Sequence, residues 1–282
     1  MRPVLVAALA LAACAPRLAR PPAPASERIT AGGAAFELRY EPGDTGVARQ
    51  IADALPRAAA RVARWGGLRQ PVTITIQPDH DALEAAAGRP GYRWLRAWAR
   101  YATVDVQSPR TWTFFGASDR EVEELLAHEL AHCAMYQQTA SEWTWPYKGI
   151  PLWFLEGFAS VTAGQDRKHG SVEELWRFYR DAAPGDGGGD GPALWAAPPE
   201  DDPVAHPERI YREHDEVVYS AAHHAFRFLL SRYGEDRVRR VLALMGQGRS
   251  FARAFEDAIG LFEPEFTSDF RRYVVSQGWR RE

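Results

Sequence analysis

The segment His128-Glu129-Leu130-Ala131-His132 constrains this chain more than any other. Two histidines four apart become surface neighbours only on a helix. That helix would carry two imidazoles and a carboxylate among Val122, Leu125, Leu126, Leu130 and Cys133, an apolar stripe that belongs in a core. Polar groups buried without partners cost about 2–7 kcal/mol each, so the cluster needs something to bind. Ser118 and Glu121 have the S-x-x-E spacing of a capping box, which starts the helix there. The spacing turns both rings toward one ion. Catalytic zinc takes imidazole nitrogen at about 2.0–2.1 Å and keeps three protein ligands plus a water. Glu129, one residue past the first histidine, is placed to take a proton from that water, which makes it the candidate general base.

Two histidines leave such a site one protein ligand short. The segment Pro151-Leu152-Trp153-Phe154-Leu155-Glu156-Gly157-Phe158-Ala159 supplies a candidate. Pro151 suits a first helical position and Gly164 the exit. Glu156 is the only acidic residue of this apolar helix, 24 positions after His132. A carboxylate in such a setting is either paired, as with an arginine, or bound to metal.

HELAH followed by P-L-W-F-L-E-G-F-A resembles the gluzincin metallopeptidases, whose ligands are two histidines and a downstream glutamate. Within that group the chain is most similar to the bacterial peptidase MA-like proteins, with their W-x-x-E-G-x-A segment. The close match covers residues 118–164 and a weaker one 213–275. A metzincin pattern fits poorly, since Cys133 and Met135 stand where its further ligand segment would begin. The resemblance implies an α+β, zincin-like fold: a mixed sheet with the active-site helix, then a helical C-terminal subdomain. It implies Zn2+ held by His128, His132 and Glu156, with Glu129 as base and Tyr219 as oxyanion donor. Tyr219 and His223 lie four apart on one expected helix face, and Tyr219 heads a segment similar to the family's tyrosine helix. One position departs from the pattern. Many gluzincins carry an acidic residue four after the ligand glutamate to orient a zinc histidine; here it is Ser160. Asp119, Glu124 or a backbone carbonyl is then needed in its place.

The chain opens with Arg2, an apolar run from Val4 to Ala13, and Leu11-Ala12-Ala13-Cys14. The run is too short to span a bilayer and reads as a signal peptide over residues 1–13. L-A-A-C resembles the bacterial lipobox, which implies a lipidated Cys14 and a membrane-anchored lipoprotein, in the outer membrane if the source is Gram-negative. Residues 14–28 form the expected Pro/Ala-rich tether. Only Cys133 then remains, so no intramolecular disulfide is expected, and Cys133 reads as a core residue. The net charge of −3, with no basic patch, excludes nucleic acid as an expected partner and leaves a peptide or protein substrate and the membrane.

Residues 29–164 are expected to hold the sheet and active-site helices, and 165–282 the helical subdomain. Strands are expected at Phe36–Tyr40, Val72–Gln77 and Tyr101–Gln107, with helices over Val47–Trp65 and residues 79–87. Ala102–Gln107 is the candidate edge strand for extended peptide. Residues 184–192 and 198–207 read as irregular, and Glu216–Tyr233 as a long helix stopped by Gly234. Trp112, Phe114, Trp143, Trp145 and Trp153 are near the motifs and suit either a substrate pocket or the core. Two other functions share this pattern: a non-peptidase amide hydrolase, and a zinc-stabilised binding lipoprotein with little turnover.

Overall fold

The computed structural model describes residues 24–181, 202–211 and 214–279. The expected signal, Cys14, the 184–192 loop and residues 198–201 lie outside the described residues.

The sheet begins with a hairpin, β1 (Ala25–Ala31) and β2 (Ala34–Tyr40), in which Ala31 pairs with Ala34. The two-residue turn is Gly32-Gly33, both at positive φ, as the tight hairpin turns that match strand twist require. β1 corrects the expected tether boundary at residue 28, which falls inside the strand. The strand escaped notice because it is an edge strand, mostly exposed, with little alternation to read. Helix α1 (Thr45–Ala63) buries Val47, Ile51, Leu55, Ala58 and Val62 on one stripe. β3 (Val72–Gln77) lies parallel to β2, and α2 (His80–Ala87) follows, capped by the Asp79 carboxylate accepting from the Ala82 N–H.

β4 (Ala97–Ala99) and β5 (Thr103–Gln107) complete a five-stranded mixed sheet of order β1-β2-β3-β5-β4. β5 is parallel to β3 and antiparallel to β4, so the expected edge strand, Ala102–Gln107, is interior. Val104 and Val106 are buried in the sheet. The edge is β4, whose three residues are too few to show a period of two.

Helix α3 (Asp119–Thr139) has the expected capping box, with Ser118 accepting from the Glu121 N–H and the Glu121 carboxylate accepting from the Ser118 N–H. It packs against α1, β4 and α4 (Leu152–Ala163) and is buried on every side over its C-terminal half. Polar residues there are satisfied individually: Gln137 accepts from the Arg69 and Gln70 N–H groups and donates to Tyr101 O. Pro151 is the cap of α4, one position before its first helical residue, and Gly164 ends it in the left-handed region at φ 69°.

The C-terminal part is helical: α5 (Val172–Asp181), α6 (Pro207–Ile210), α7 (Asp215–Gly246), α8 (Phe251–Ile259) and α9 (Glu263–Trp279). Gly234 breaks α7 with φ 78° and ψ 168°, at the expected stop. Phe154, Phe158, Phe226 and Trp65 pack edge-on and tilted between α1, α4 and α7, and Trp153 donates to Glu263 at 2.7 Å. Gly157 permits this approach. A Cβ there would collide with Ala222 O and stand 2.6 Å from Phe226 Cβ. Gly157→Ala is therefore expected to lower stability by about 1–3 kcal/mol, read as a depressed Tm, because the obstacle is backbone and cannot rotate away.

Candidate metal centre

Helix α3 puts His128 and His132 one turn apart, with ring centroids 4.8 Å apart and planes at 81°. Their Nε2 atoms face each other at 3.1 Å. Glu156 Oε2, presented by α4, lies 3.2 Å from the first and 3.6 Å from the second. These three donors form the described group of His, Cys, Asp and Glu atoms close enough together to share a metal ion. Two imidazole nitrogens cannot face each other at this distance with both lone pairs bare; a proton or a cation must stand between. An ion bound tetrahedrally at about 2.0–2.1 Å would separate its ligands by about 3.4 Å, close to the edges of this triangle. The residues fit zinc in spacing and in chemistry, two nitrogens and one carboxylate.

His128 Nδ1 lies 3.0 Å from Gln165 Oε1. With Nε2 turned to the shared site, Nδ1–H donates to that amide oxygen, and Gln165 in turn donates to Glu124 O at 3.5 Å. Gln165 therefore fills the orienting role that sequence reading sought in Asp119, Glu124 or a carbonyl. It immediately follows the helix stop at Gly164, beyond the family segment, where no periodic signal marks it. Ser160 points elsewhere, to His223 Nδ1 at 3.0 Å, and Asp119 binds Gln50. His132 Nδ1 is buried without a hydrogen-bond partner among the described residues, its ring stacked on Tyr136.

Two carboxyls share the site and are driven apart. Glu129 is pushed up to about 7, by burial first; Glu156 adds to the rise, while His128 and a backbone hydrogen bond from Ala99 oppose it. Burial alone would raise Glu156 too, but His132 and His128 hold it well below the usual carboxylate range. One acid is thus a fixed anion and its neighbour a proton carrier.

Both open on a cavity of about 510 Å³, walled by Trp94, Trp98, Tyr136, Trp145, Tyr211 and Tyr219. The Tyr219 hydroxyl, on α7, lies 2.7 Å from that of Tyr211, and burial keeps it protonated far above the ordinary tyrosine range. Tyr211 had no motif to announce it, and neither did Trp94 or Trp98. Of the tryptophan and phenylalanine residues that the sequence offered for a pocket, Trp145 lines this cavity beside Tyr219; Trp153 is core, Trp112 packs against the core, and Trp143 and Phe114 face solvent. His223 and His224 are structural, the first bound to Ser160 and Asp166 and the second to Gly170 O. Cys133 is buried with its thiol against Arg100 O, and burial raises its pKa.

No family model matches the chain, and no curated protein matches it. Among solved structures it is similar to the M1 zinc metallopeptidase from Deinococcus radiodurans, with 14% identity and a TM-score of 0.43 over 89% of this chain and 51% of that one. It is likewise similar to a variant of a two-domain M1 zinc metallopeptidase bound to L-arginine, with 14% identity and a TM-score of 0.43 over 90% and 51%. The chain spans about half the length of these proteins.

Gln165→Leu removes the acceptor that fixes the His128 ring while keeping its volume. Zinc affinity, measured by competition with a chelator, is expected to fall about 10–100-fold. Unchanged affinity would deny Gln165 its orienting role.

Proposed function

We propose that this chain is a zinc-dependent peptide-bond hydrolase. The reading is carried by one observation: two imidazole nitrogens and a carboxylate oxygen converge within 3.6 Å beside a second, buried carboxyl, Glu129. His128, His132 and Glu156 would hold the ion. When bound, zinc supplies a Lewis acid that polarises the scissile carbonyl and lowers the pKa of water toward about 7.

The remaining chemistry belongs to side chains. Glu129 accepts the proton of the attacking water and returns it to the leaving amine, a shuttle suited to a group poised near neutrality. Tyr219, kept protonated by burial, donates to the developing oxyanion, and Tyr211 holds its hydroxyl in place. The aromatic wall sets apolar surface beside the reacting bond. The outer edge of β4 is placed to offer main-chain groups to an extended substrate beside the site, the role expected from sequence for Ala102–Gln107. The L-A-A-C segment supports an exported chain anchored by a lipidated Cys14, probing peptides from a membrane surface, the outer membrane in a Gram-negative source. Gln165 in the orienting position weakens the case for a binding protein without turnover, which rested on Ser160.

The deciding experiment pairs zinc content with cleavage of a diverse peptide library, for the wild type and Glu129→Gln. Both proteins are expected to bind one zinc, and the variant to lose about 10²–10⁴-fold in rate. Zinc binding without cleavage by either protein would turn the reading toward another amide or a binding role; no zinc in either would overturn the ligand set. Tyr219→Phe is expected to lower kcat about 10²–10³-fold with KM nearly unchanged, and an unchanged kcat would move the oxyanion donor elsewhere.

A further inference from the structure

Phe114 and Phe115 are 95% and 93% exposed, and they stack edge-on against each other at 5.1 Å. Leaving two such rings in water forgoes about 1.5–3 kcal/mol each relative to full burial. The turn beneath them is fixed. Trp112 packs against the core and donates to Gln107 O at 2.9 Å. Thr113 Oγ1 donates to Gly116 O and accepts from the Phe115 N–H, and the Gly116 N–H returns to Thr113 O at 3.1 Å. Gly116 closes the turn at φ 80°. The rings are held outward by a hydrogen-bonded base.

Their position in the fold indicates what they meet. β2, β3 and β5 are parallel, so Tyr40, Gln77 and Gln107 share one end of the sheet. Ala25 pairs with Tyr40, so β1 starts at that same end. The aromatic turn follows Gln107 by six residues. It is tied back to the β2 side, because Asp44 accepts from Ser108 Oγ and Arg110 Nε, each at 2.7 Å. Phe115 and Gly43 line one shallow cavity there. The start of the first strand and the phenylalanine pair thus lie at the same end of the sheet. Cys14 precedes Ala25 by eleven residues, which span at most about 40 Å when fully extended.

We infer that the Phe114–Phe115 turn is a lipid-inserting contact, the second attachment beside the N-terminal chain. Apolar rings at a surface loop enter the headgroup–acyl boundary and add their buried apolar area to any attachment made through the N-terminal chain. The identity of the membrane rests on the export reading above; insertion of the rings does not.

The test uses the full chain with Cys14→Ser, so that no lipid is attached, and phosphatidylcholine vesicles. A polarity-sensitive thiol fluorophore is placed through Phe115→Cys or, in a second protein, Trp143→Cys; buried Cys133 stays unlabelled. On vesicles the probe at 115 is expected to shift to the blue and brighten, the probe at 143 to stay as in water, and Phe114→Ser to reduce the shift at 115. Zinc content and peptide cleavage are expected to be unchanged in all of them, which separates this inference from the hydrolase reading. A probe at 115 that stays water-like, or shifts no more than the one at 143, overturns the inference. So does a dimer seen by sedimentation without lipid and abolished by Phe114→Ser/Phe115→Ser, which would assign the turn to a second copy of the chain.

Discussion

The arrangement depends on bringing two imidazole nitrogens to 3.1 Å and a carboxylate oxygen alongside them inside an apolar layer. Groups of that kind repel or lose solvation unless a cation or proton joins them. The surrounding structure accepts this cost and contains it. α3 is enclosed by α1, α4 and β4, so the rings have the cavity to face, and the capping box fixes the helix start from which their register is counted. Gly157 lets α4 sit close enough to α7 for the apolar side of α4 to be buried while Glu156 faces the histidines.

Glu129 and Glu156 show how neighbouring carboxyls acquire different duties from position alone. They differ in how directly the two histidine rings reach them and in what else does. Glu156 has His128 at 3.2 Å and His132 at 3.6 Å, whereas Glu129 has deep burial and a strand-edge amide. The same edge strand carries Trp98 into the cavity wall. The lining of the cavity and the surroundings of the Glu129 carboxyl are therefore tied together through three residues of β4.

What could be read from the chain beforehand follows the periodicity of each element. α1, α3, α4 and the helix ending at Gly234 announce themselves by repeated apolar spacing and by caps, and the ligand candidates ride on two of them. β1 and β4 did not, being exposed at one edge and three residues long at the other. The resulting error was a specific one: Ala102–Gln107 was assigned to the edge, although the buried Val104 and Val106 mark an interior strand. Gln165 and Tyr211 were invisible for another reason. Each lies just outside a patterned segment, and its part in the site arises only from tertiary placement, through single contacts to His128 and Tyr219.

The placement of Gln165 has a mechanical consequence. It lies one residue beyond the glycine that ends α4, while Glu156 lies within that helix, so one rigid segment carries both a donor to the shared site and the group that aims His128 at it. The histidines come from a different helix. Sliding α4 along α3 would withdraw the carboxylate and release the imidazole in the same movement. Assembly of the centre is thereby set by a single degree of freedom, the seating of one helix upon another.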